Sequence, residues 1–165
     1  MFKKTIIFFL FIFVLIGCNF NTPTDFADNA LKDNTFINID HKTIDFQTIL
    51  NQYKGKKILI NVWASWCRDC IVGMDDLKEF QKENPTVKYV FLSTDRSIFR
   101  WEKAMKKYSL QGDHYFMKNG LNSGFGDFLN SNWIPRYLVV NENGTINLFK
   151  AKKITDKRIV EALKK

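Results

Sequence analysis

Apolar residues along the chain alternate between the spacing of strands and the spacing of helices. Two runs, KILINVW and VKYVFLST, are almost continuously apolar, which is typical of strands covered on both faces in a parallel sheet. The segment after the first run carries apolar residues at helical spacing, at Ile71, Met74, Leu77 and Phe80. The segment after the second run repeats this helical pattern, with Asp95 as its expected cap. The pattern predicts buried strands that alternate with helices.

The flanking segments extend this alternation in both directions. TFINID and DHYFMK read as short strands, and DFQTILNQY and FGDFLN as short helices. PRYLVVNENGTINLF predicts two strands joined at Asn143-Gly144, which is a strong hairpin signal. TDKRIVEALKK predicts an amphipathic helix capped by Thr155 or Asp156. Parallel strands with crossover helices and a final antiparallel edge form an α/β sandwich.

The first residues have the pattern of a secretory signal. MFKK is a charged start, and the uncharged stretch from Thr5 to Gly17 is shorter than the roughly 20 apolar residues of a membrane-spanning helix. A retained membrane anchor is the alternative. The end of the run, LIGC, resembles the bacterial lipobox, which implies a signal peptide over residues 1–17 and lipid attachment at Cys18. An ordinary cysteine in a signal or linker is the other interpretation of Cys18.

The residues that follow Cys18 are polar and lack a clear periodicity. We therefore expect residues 18–33 to form a flexible tether and residues 34–165 to form one folded domain. A chain of 165 residues with 45% apolar content can bury the core of one such domain.

The charge of the chain does not predict a nucleic-acid partner. Of the net +8, Lys3 and Lys4 of the signal contribute two charges, which leaves +6 for the mature chain. The remaining lysines are interspersed with acidic residues and do not form one block. We expect no contact with nucleic acid, and membrane proximity remains open.

The cysteine count leaves one pair available for chemistry. If Cys18 carries lipid, Cys67 and Cys70 have only each other, in a compartment where disulfides persist. A structural zinc site needs four ligands, and the isolated His41 and His114 do not complete one, so we expect no metal and no cofactor. A purely structural disulfide is an alternative, although so short a loop would contribute little stability.

The position of the pair favours reactivity. Cys67 stands where a buried strand meets the following helix, so its sulfur faces the positive end of the helix dipole. Cysteines in such positions have pKa values of about 3.5 to 7.5, against about 8.5 for a free thiol. Cys70, one turn later, can attack a mixed disulfide formed at Cys67. The sequence predicts Cys67 as nucleophile and Cys70 as resolving cysteine.

ILINVWASWCRDC and IPRYLVVNENGTI closely resemble the thioredoxin-like superfamily, in particular its membrane-tethered TlpA/ResA-type thiol-disulfide oxidoreductases. The resemblance implies a thioredoxin-like sandwich, in which helices flank a central mixed sheet with a short N-terminal strand extension. It implies a cis-proline at Pro135 that faces the disulfide, with the Ile134 backbone and the Trp66 ring contacting substrate. Trp63 is expected in the core, and Trp133 either lines the groove or packs inside.

The chain also departs from that family. Thioredoxin has a buried aspartate where this chain has Asn61, and TlpA/ResA-type proteins often supply a glutamate where it has Gly73. Water, a backbone group, or a carboxylate such as Asp75 or Asp76 must then accept the Cys70 proton. Asp75 also replaces the usual helix-kinking proline, so we expect a straighter helix. Arg68 and Asp69 between the cysteines have opposing effects on the thiolate, which leaves the redox direction open.

The resemblance implies an extracytoplasmic, lipid-anchored enzyme on the periplasmic side of the bacterial envelope. We expect a monomer that acts as a reductant on disulfide-containing envelope proteins and receives electrons from a membrane thiol donor. A peroxiredoxin-like peroxidase is one alternative, although the Pro-x-x-x-Thr-x-x-Cys arrangement is absent. A protein-binding lipoprotein with vestigial cysteines is the other.

Overall fold

The computed structural model describes residues 22–165, which fold around one seven-stranded mixed sheet. The strands are β1 (Phe36–Ile37), β2 (Thr43–Ile44), β3 (Ile58–Trp63), β4 (Lys88–Ser93), β5 (Asp113–Met117), β6 (Arg136–Val140) and β7 (Ile146–Ala151). The helices are α1 (Asp28–Leu31), α2 (Phe46–Asn51), α3 (Arg68–Val72), α4 (Met74–Glu83), α5 (Ile98–Tyr108), α6 (Gly124–Leu129) and α7 (Lys157–Lys164).

Strand β3 lies near the centre of the sheet, whose order is β2-β1-β5-β4-β3-β6-β7. It pairs in parallel with β4 and antiparallel with β6, and all six of its residues are buried. Burial on both faces explains why its sequence is almost continuously apolar. The antiparallel β6–β7 hairpin closes one edge, and the β1–β2 extension closes the other. The predicted α/β mixed sheet with flanking helices is confirmed.

The folded domain begins earlier than Asn34. Phe26 is buried, with its ring centroid 5.0 Å from that of Phe46, and Ala30 of α1 is fully buried. The buried carboxylate of Asp33 accepts a hydrogen bond from the backbone N–H of Phe125 at 2.9 Å. These long-range contacts pack residues 26–33 against α2 and α6, so the predicted boundary at residues 33 and 34 is wrong.

The helix after Cys67 does not run straight. It is divided at Gly73, which ends α3 and precedes α4, with backbone angles of φ −80° and ψ 2°. The expectation of a straighter helix is therefore wrong, even though the kinking proline is absent. Glycine loses more conformational entropy than any other residue when it is fixed in a helix, which makes it a weak point at which a helix can be interrupted.

No helix within residues 22–165 has the length and apolar character needed to cross a bilayer. The predicted signal peptide over residues 1–17 and the predicted lipid site at Cys18 lie outside the part of the chain that the structure describes.

Candidate active site

The junction between β3 and α3 holds a disulfide between Cys67 and Cys70, with their Cα atoms 5.3 Å apart. Cys67 is the N-cap residue of α3, and its sulfur accepts a hydrogen bond from the backbone N–H of Cys70 at 3.2 Å. Cys67 is 7% exposed and Cys70 is 3% exposed. After reduction, the same N–H and the helix dipole favour the thiolate form of Cys67.

The loop before β6 lies beside this disulfide. The Ile134–Pro135 peptide bond is cis, and the carbonyl oxygen of Ile134 is 3.6 Å from the sulfur of Cys67. Strands β3 and β6 bring the two loops together, because Val62 pairs with Arg136 in the antiparallel register. Ile134 and Pro135, both expected from the sequence to contact substrate, therefore adjoin the first cysteine.

Three large apolar side chains are exposed on the elements that carry the site. Trp66 is 52% exposed, Trp133 is 58% exposed and Val72 is 72% exposed. Trp133 lines a cavity of about 480 Å³ together with Val72, Gly73 and Pro135, so of the two expectations for Trp133 the structure favours the groove. Trp63 is fully buried, as expected for a core tryptophan.

A sequence model of the family described as Redoxin matches residues 27–163. The chain belongs to the Redoxin family. The match begins before the predicted domain boundary, in agreement with the packing of the segment around α1. It also includes both cysteines, the cis-proline loop and nearly all of α7, so this redoxin contains every element that forms the site described above.

Two curated relatives align with parts of this redoxin. Thioredoxin-like protein YneN of Bacillus subtilis is 28% identical over 118 residues, which cover 69% of this chain and 67% of the relative. An uncharacterized protein of Haemophilus influenzae is 33% identical over 59 residues, or 35% of this chain. The alignment spans 38% of the length of that Haemophilus relative.

Solved structures share the fold over most of the redoxin. The solution structure of a Bacteroides vulgatus protein assigned as a thiol-disulfide oxidoreductase is 28% identical, with a TM-score of 0.66 over 83% of this chain and 88% of that one. A thiol-disulfide oxidoreductase from Bacteroides fragilis is 22% identical, with a TM-score of 0.65 over 82% of this chain and 97% of that one. The thioredoxin-like superfamily inferred from the sequence is confirmed. The Redoxin match, the 28% identical Bacteroides vulgatus structure and the intact Cys-x-x-Cys pair together identify the domain as that of a thiol-disulfide oxidoreductase.

The structure shows the environment of the two positions, Asn61 and Gly73, at which the family members named above carry an acid. Asn61 is buried, and its Oδ1 atom has no hydrogen-bond partner within residues 22–165. Tyr137 is directly opposite Asn61 across β3 and β6, so the two side chains share one face of the sheet. Tyr137 lines the cavity with Gly73 and Asp76; Asp75 and Asp76 are both exposed, but Asp75 does not line the cavity. Of the two aspartates considered from the sequence, only Asp76 lies on the cavity wall.

Asp95 is a site residue whose role the sequence pattern predicts wrongly. The expected cap of α5 is Asp95, but the actual cap is Ser97, whose side chain accepts from the backbone N–H of Arg100. Asp95 is instead buried, and its carboxylate accepts bonds from the Ser65 hydroxyl at 2.6 Å and the Ser93 hydroxyl at 2.8 Å. The Ser65 backbone N–H also donates to it at 3.1 Å. Asp95 thus anchors the loop that leads into Cys67, a contact that local periodicity cannot reveal.

The two histidines lie outside the site. His41 is on the surface, 2.9 Å from Glu102, and His114 stacks on Phe91 with ring centroids 4.6 Å apart. Residues 22–165 hold no cluster of three or more histidine, cysteine, aspartate or glutamate side chains arranged for a metal ion.

Proposed function

We propose that this redoxin is a lipid-anchored, extracytoplasmic reductant of disulfides in other envelope proteins. The cap geometry carries the exchange chemistry in this proposal, because the sulfur of Cys67 accepts a hydrogen bond at the N-terminus of α3. The exposed rings of Trp66 and Trp133 support it, since they provide surface for a protein substrate beside the disulfide.

The proposed reaction is two successive exchanges that conserve electrons. The Cys67 thiolate attacks one sulfur of the substrate disulfide, forms a mixed disulfide, and releases the other substrate sulfur as a thiolate that takes up a proton. Cys70 loses its proton and attacks the Cys67 sulfur, which releases the second substrate thiol. The substrate gains two electrons and two protons, and Cys67 and Cys70 are oxidised to the disulfide.

Each turnover leaves the redoxin oxidised, so a membrane thiol donor must reduce it again. We propose this direction from the resemblance to TlpA/ResA-type proteins, and it requires the donor because an extracytoplasmic pair stays oxidised unless electrons reach it. Trapping thiols with a mass-tagging alkylating reagent in growing cells tests the direction. A mainly reduced pool supports a reductant, whereas a fully oxidised pool in cells that still exchange disulfides indicates an oxidant.

Insulin reduction tests the chemistry. Reduced redoxin should precipitate the insulin B chain, Cys67→Ser should abolish this activity, and Cys70→Ala should accumulate mixed disulfides with envelope proteins. Full activity in Cys67→Ser would reject the exchange mechanism. Partners captured by Cys70→Ala without any reducible covalent link would instead support a binding protein with vestigial cysteines.

The anchor is tested separately. We propose cleavage before Cys18 and lipidation of its side chain, because LIGC matches the lipobox. Two or more acyl chains hold a protein on a membrane, since each buried methylene contributes about 0.8 kcal/mol. Cys18→Ala should block processing and incorporation of labelled fatty acid. Normal processing and labelling in this variant would disprove lipidation at Cys18.

A further inference from the structure

The cavity beside the disulfide has two walls of different chemistry. One wall belongs to α3 and α4 and carries Asp69, Val72 and Asp76. The other wall is formed by the segment between β7 and α7, and carries Lys152 and Lys153. Trp133 and Pro135 also line the cavity, and they flank Ile134 in the loop that contacts Cys67. A substrate segment that approaches the disulfide along this cavity meets both walls.

The apolar side chains of Val72 and Trp133, which line the cavity, are mostly exposed to solvent. Val72 is 72% exposed and Trp133 is 58% exposed. Exposed apolar groups clustered in a concave surface indicate a binding site, and aromatic anchors contribute much of the energy of protein contacts. An apolar side chain of the substrate can pack here and be removed from water.

The basic part is free to bind an anion. Lys152 and Lys153 are exposed, and neither forms an ion pair in the described part of the chain. Arg158 is different, since its guanidinium lies 2.6 Å from the carboxylate of Asp156. A second hollow continues the basic surface past Lys150. We call Lys150, Lys152 and Lys153 the basic strip.

We infer that this groove selects protein disulfides whose cysteine is flanked by an apolar residue and by acidic residues. The inference rests on the proposed function. The apolar side chain packs between Val72 and Trp133, and the carboxylates lie against Lys152 and Lys153. The α3–α4 part of the lining repels carboxylates through Asp69 and Asp76, so charge also sets the direction in which the segment lies.

The basic strip could also contact anionic lipid headgroups, given the proposed anchor. The shape of the site favours a peptide. Lys152 and Lys153 are on the wall of a concave cavity that also includes Pro135, and a flat bilayer surface cannot enter it to reach the apolar side chains. An extended segment can contact the lysines, the apolar surface and the disulfide together.

Single-turnover kinetics with peptide disulfides test the inference. The reduced full chain, in phosphatidylcholine nanodiscs, is mixed with peptides whose one cysteine is disulfide-linked to 2-mercaptoethanol. Each of the three peptides has a leucine beside its cysteine. They differ in the two other residues near the cysteine, which are both glutamate, both glutamine or both lysine. At low ionic strength we expect the glutamate peptide to react about 10-fold faster than the lysine peptide, and this ratio should shrink in 0.5 M salt because screening weakens exposed charge contacts. Replacing the leucine by serine should slow every peptide.

Charge reversal gives the matched comparison. The double variant Lys152→Glu and Lys153→Glu should invert the peptide preference. Lys106→Glu with Lys107→Glu makes the same charge change in the last turn of α5 and should keep the wild-type preference. Equal rates for the glutamate and lysine peptides, or an inversion in the α5 variant as well, would overturn the inference.

Two further measurements distinguish a loss of selectivity from a loss of the exchange chemistry and from lipid binding. Bis(2-hydroxyethyl) disulfide is uncharged, so its reduction reports the proposed chemistry alone. If the wild type reduces it but does not discriminate among peptides, only the selectivity fails; if it is not reduced, the proposed function fails. If peptide charge has no effect, and the Lys152/Lys153 variant changes the rate only in discs that contain phosphatidylglycerol, the basic strip contacts lipid and the inference is wrong.

Discussion

The sulfur of Cys67 lies 3.6 Å from the carbonyl oxygen of Ile134, although 67 residues separate them in the chain. Their proximity follows from the sheet, because β3 leads into Cys67 and the antiparallel neighbour β6 begins immediately after Pro135. The central strands therefore define the distance between the disulfide and the loop proposed to bind substrate. Substitutions near the cysteines should change reactivity, and substitutions that loosen these loops should change stability as well.

Arg68 should accelerate the reaction of the Cys67 thiolate. Arg68 follows Cys67 in the sequence and is exposed. Arg68→Glu therefore replaces a charge that attracts the Cys67 thiolate by one that repels it. We expect alkylation of the reduced protein by iodoacetamide at pH 7 to slow several-fold. Arg68→Lys keeps the positive charge and should react within about two-fold of wild type. Equal rates for the glutamate and lysine variants would show that the helix dipole and the Cys70 N–H dominate.

Ser65 should stabilise the loop before Cys67 through its bond to Asp95. The hydroxyl donates to the buried carboxylate at 2.6 Å, and hydrogen bonds to charged groups contribute about 1.5–3 kcal/mol. We expect Ser65→Ala to lower the free energy of unfolding in urea by about that amount. Thr86→Ala removes an exposed hydroxyl that has no hydrogen-bond partner among residues 22–165, and should change the free energy of unfolding by less than about 0.5 kcal/mol. If Ser65→Ala lowers the free energy of unfolding by less than Thr86→Ala does, the bond from Ser65 to Asp95 does not anchor the loop.

Gly124 should be required for the packing of α1 on α6. A Cβ atom at this position would overlap the backbone carbonyl of Asn29, whose side-chain amide donates to the Gly124 carbonyl at 3.1 Å. We expect Gly124→Ala to destabilise the protein by about 1–3 kcal/mol and to expose residues 22–33 to limited proteolysis. Gly73→Ala meets only ordinary contacts and should leave the proteolysis pattern unchanged. An unchanged pattern in Gly124→Ala would indicate that this segment does not depend on the close approach.

His114 should make the protein less stable in mild acid. Burial lowers the pKa of its imidazole below 6.5, and this effect outweighs the opposing influence of the Leu110 carbonyl and Asp113. As the pH falls, His114 therefore binds a proton at a higher pH in the unfolded chain than in the folded protein. The free energy of unfolding should fall as the pH drops through 6.5 toward the lower pKa of His114 in the folded protein.

Urea midpoints between pH 7.5 and 5.5 measure this effect. His114→Phe retains an aromatic ring to stack on Phe91 and should flatten the pH dependence. His41→Gln removes the exposed histidine and should retain the steeper dependence. An identical slope in wild type and His114→Phe would assign the acid sensitivity to other groups.

Much of the fold follows from local pattern. The continuous apolar run of β3 predicts a strand buried on both faces, and the helical spacing after it places Cys67 at a strand–helix junction. Asn143-Gly144 predicts the hairpin, and Asp156 caps α7 by accepting from the Arg158 N–H. These features depend on residues that are close in the chain, so periodicity and capping preferences are sufficient to predict them.

Long-range contacts decided the rest. Polar composition predicts a flexible tether before Asn34, but the bond from the Phe125 N–H to Asp33 bridges 92 positions. Asp95 resembles a helix cap and instead anchors Ser65, 30 positions earlier. By itself the sequence determined the Cys67–Cys70 pair, its place at a helix N-terminus, and the alternation of elements, because these are set within a few residues. Only the tertiary structure decided where the domain begins, what supports the Cys67 loop, and which charged residues line the groove, because burial and strand register bring those residues together.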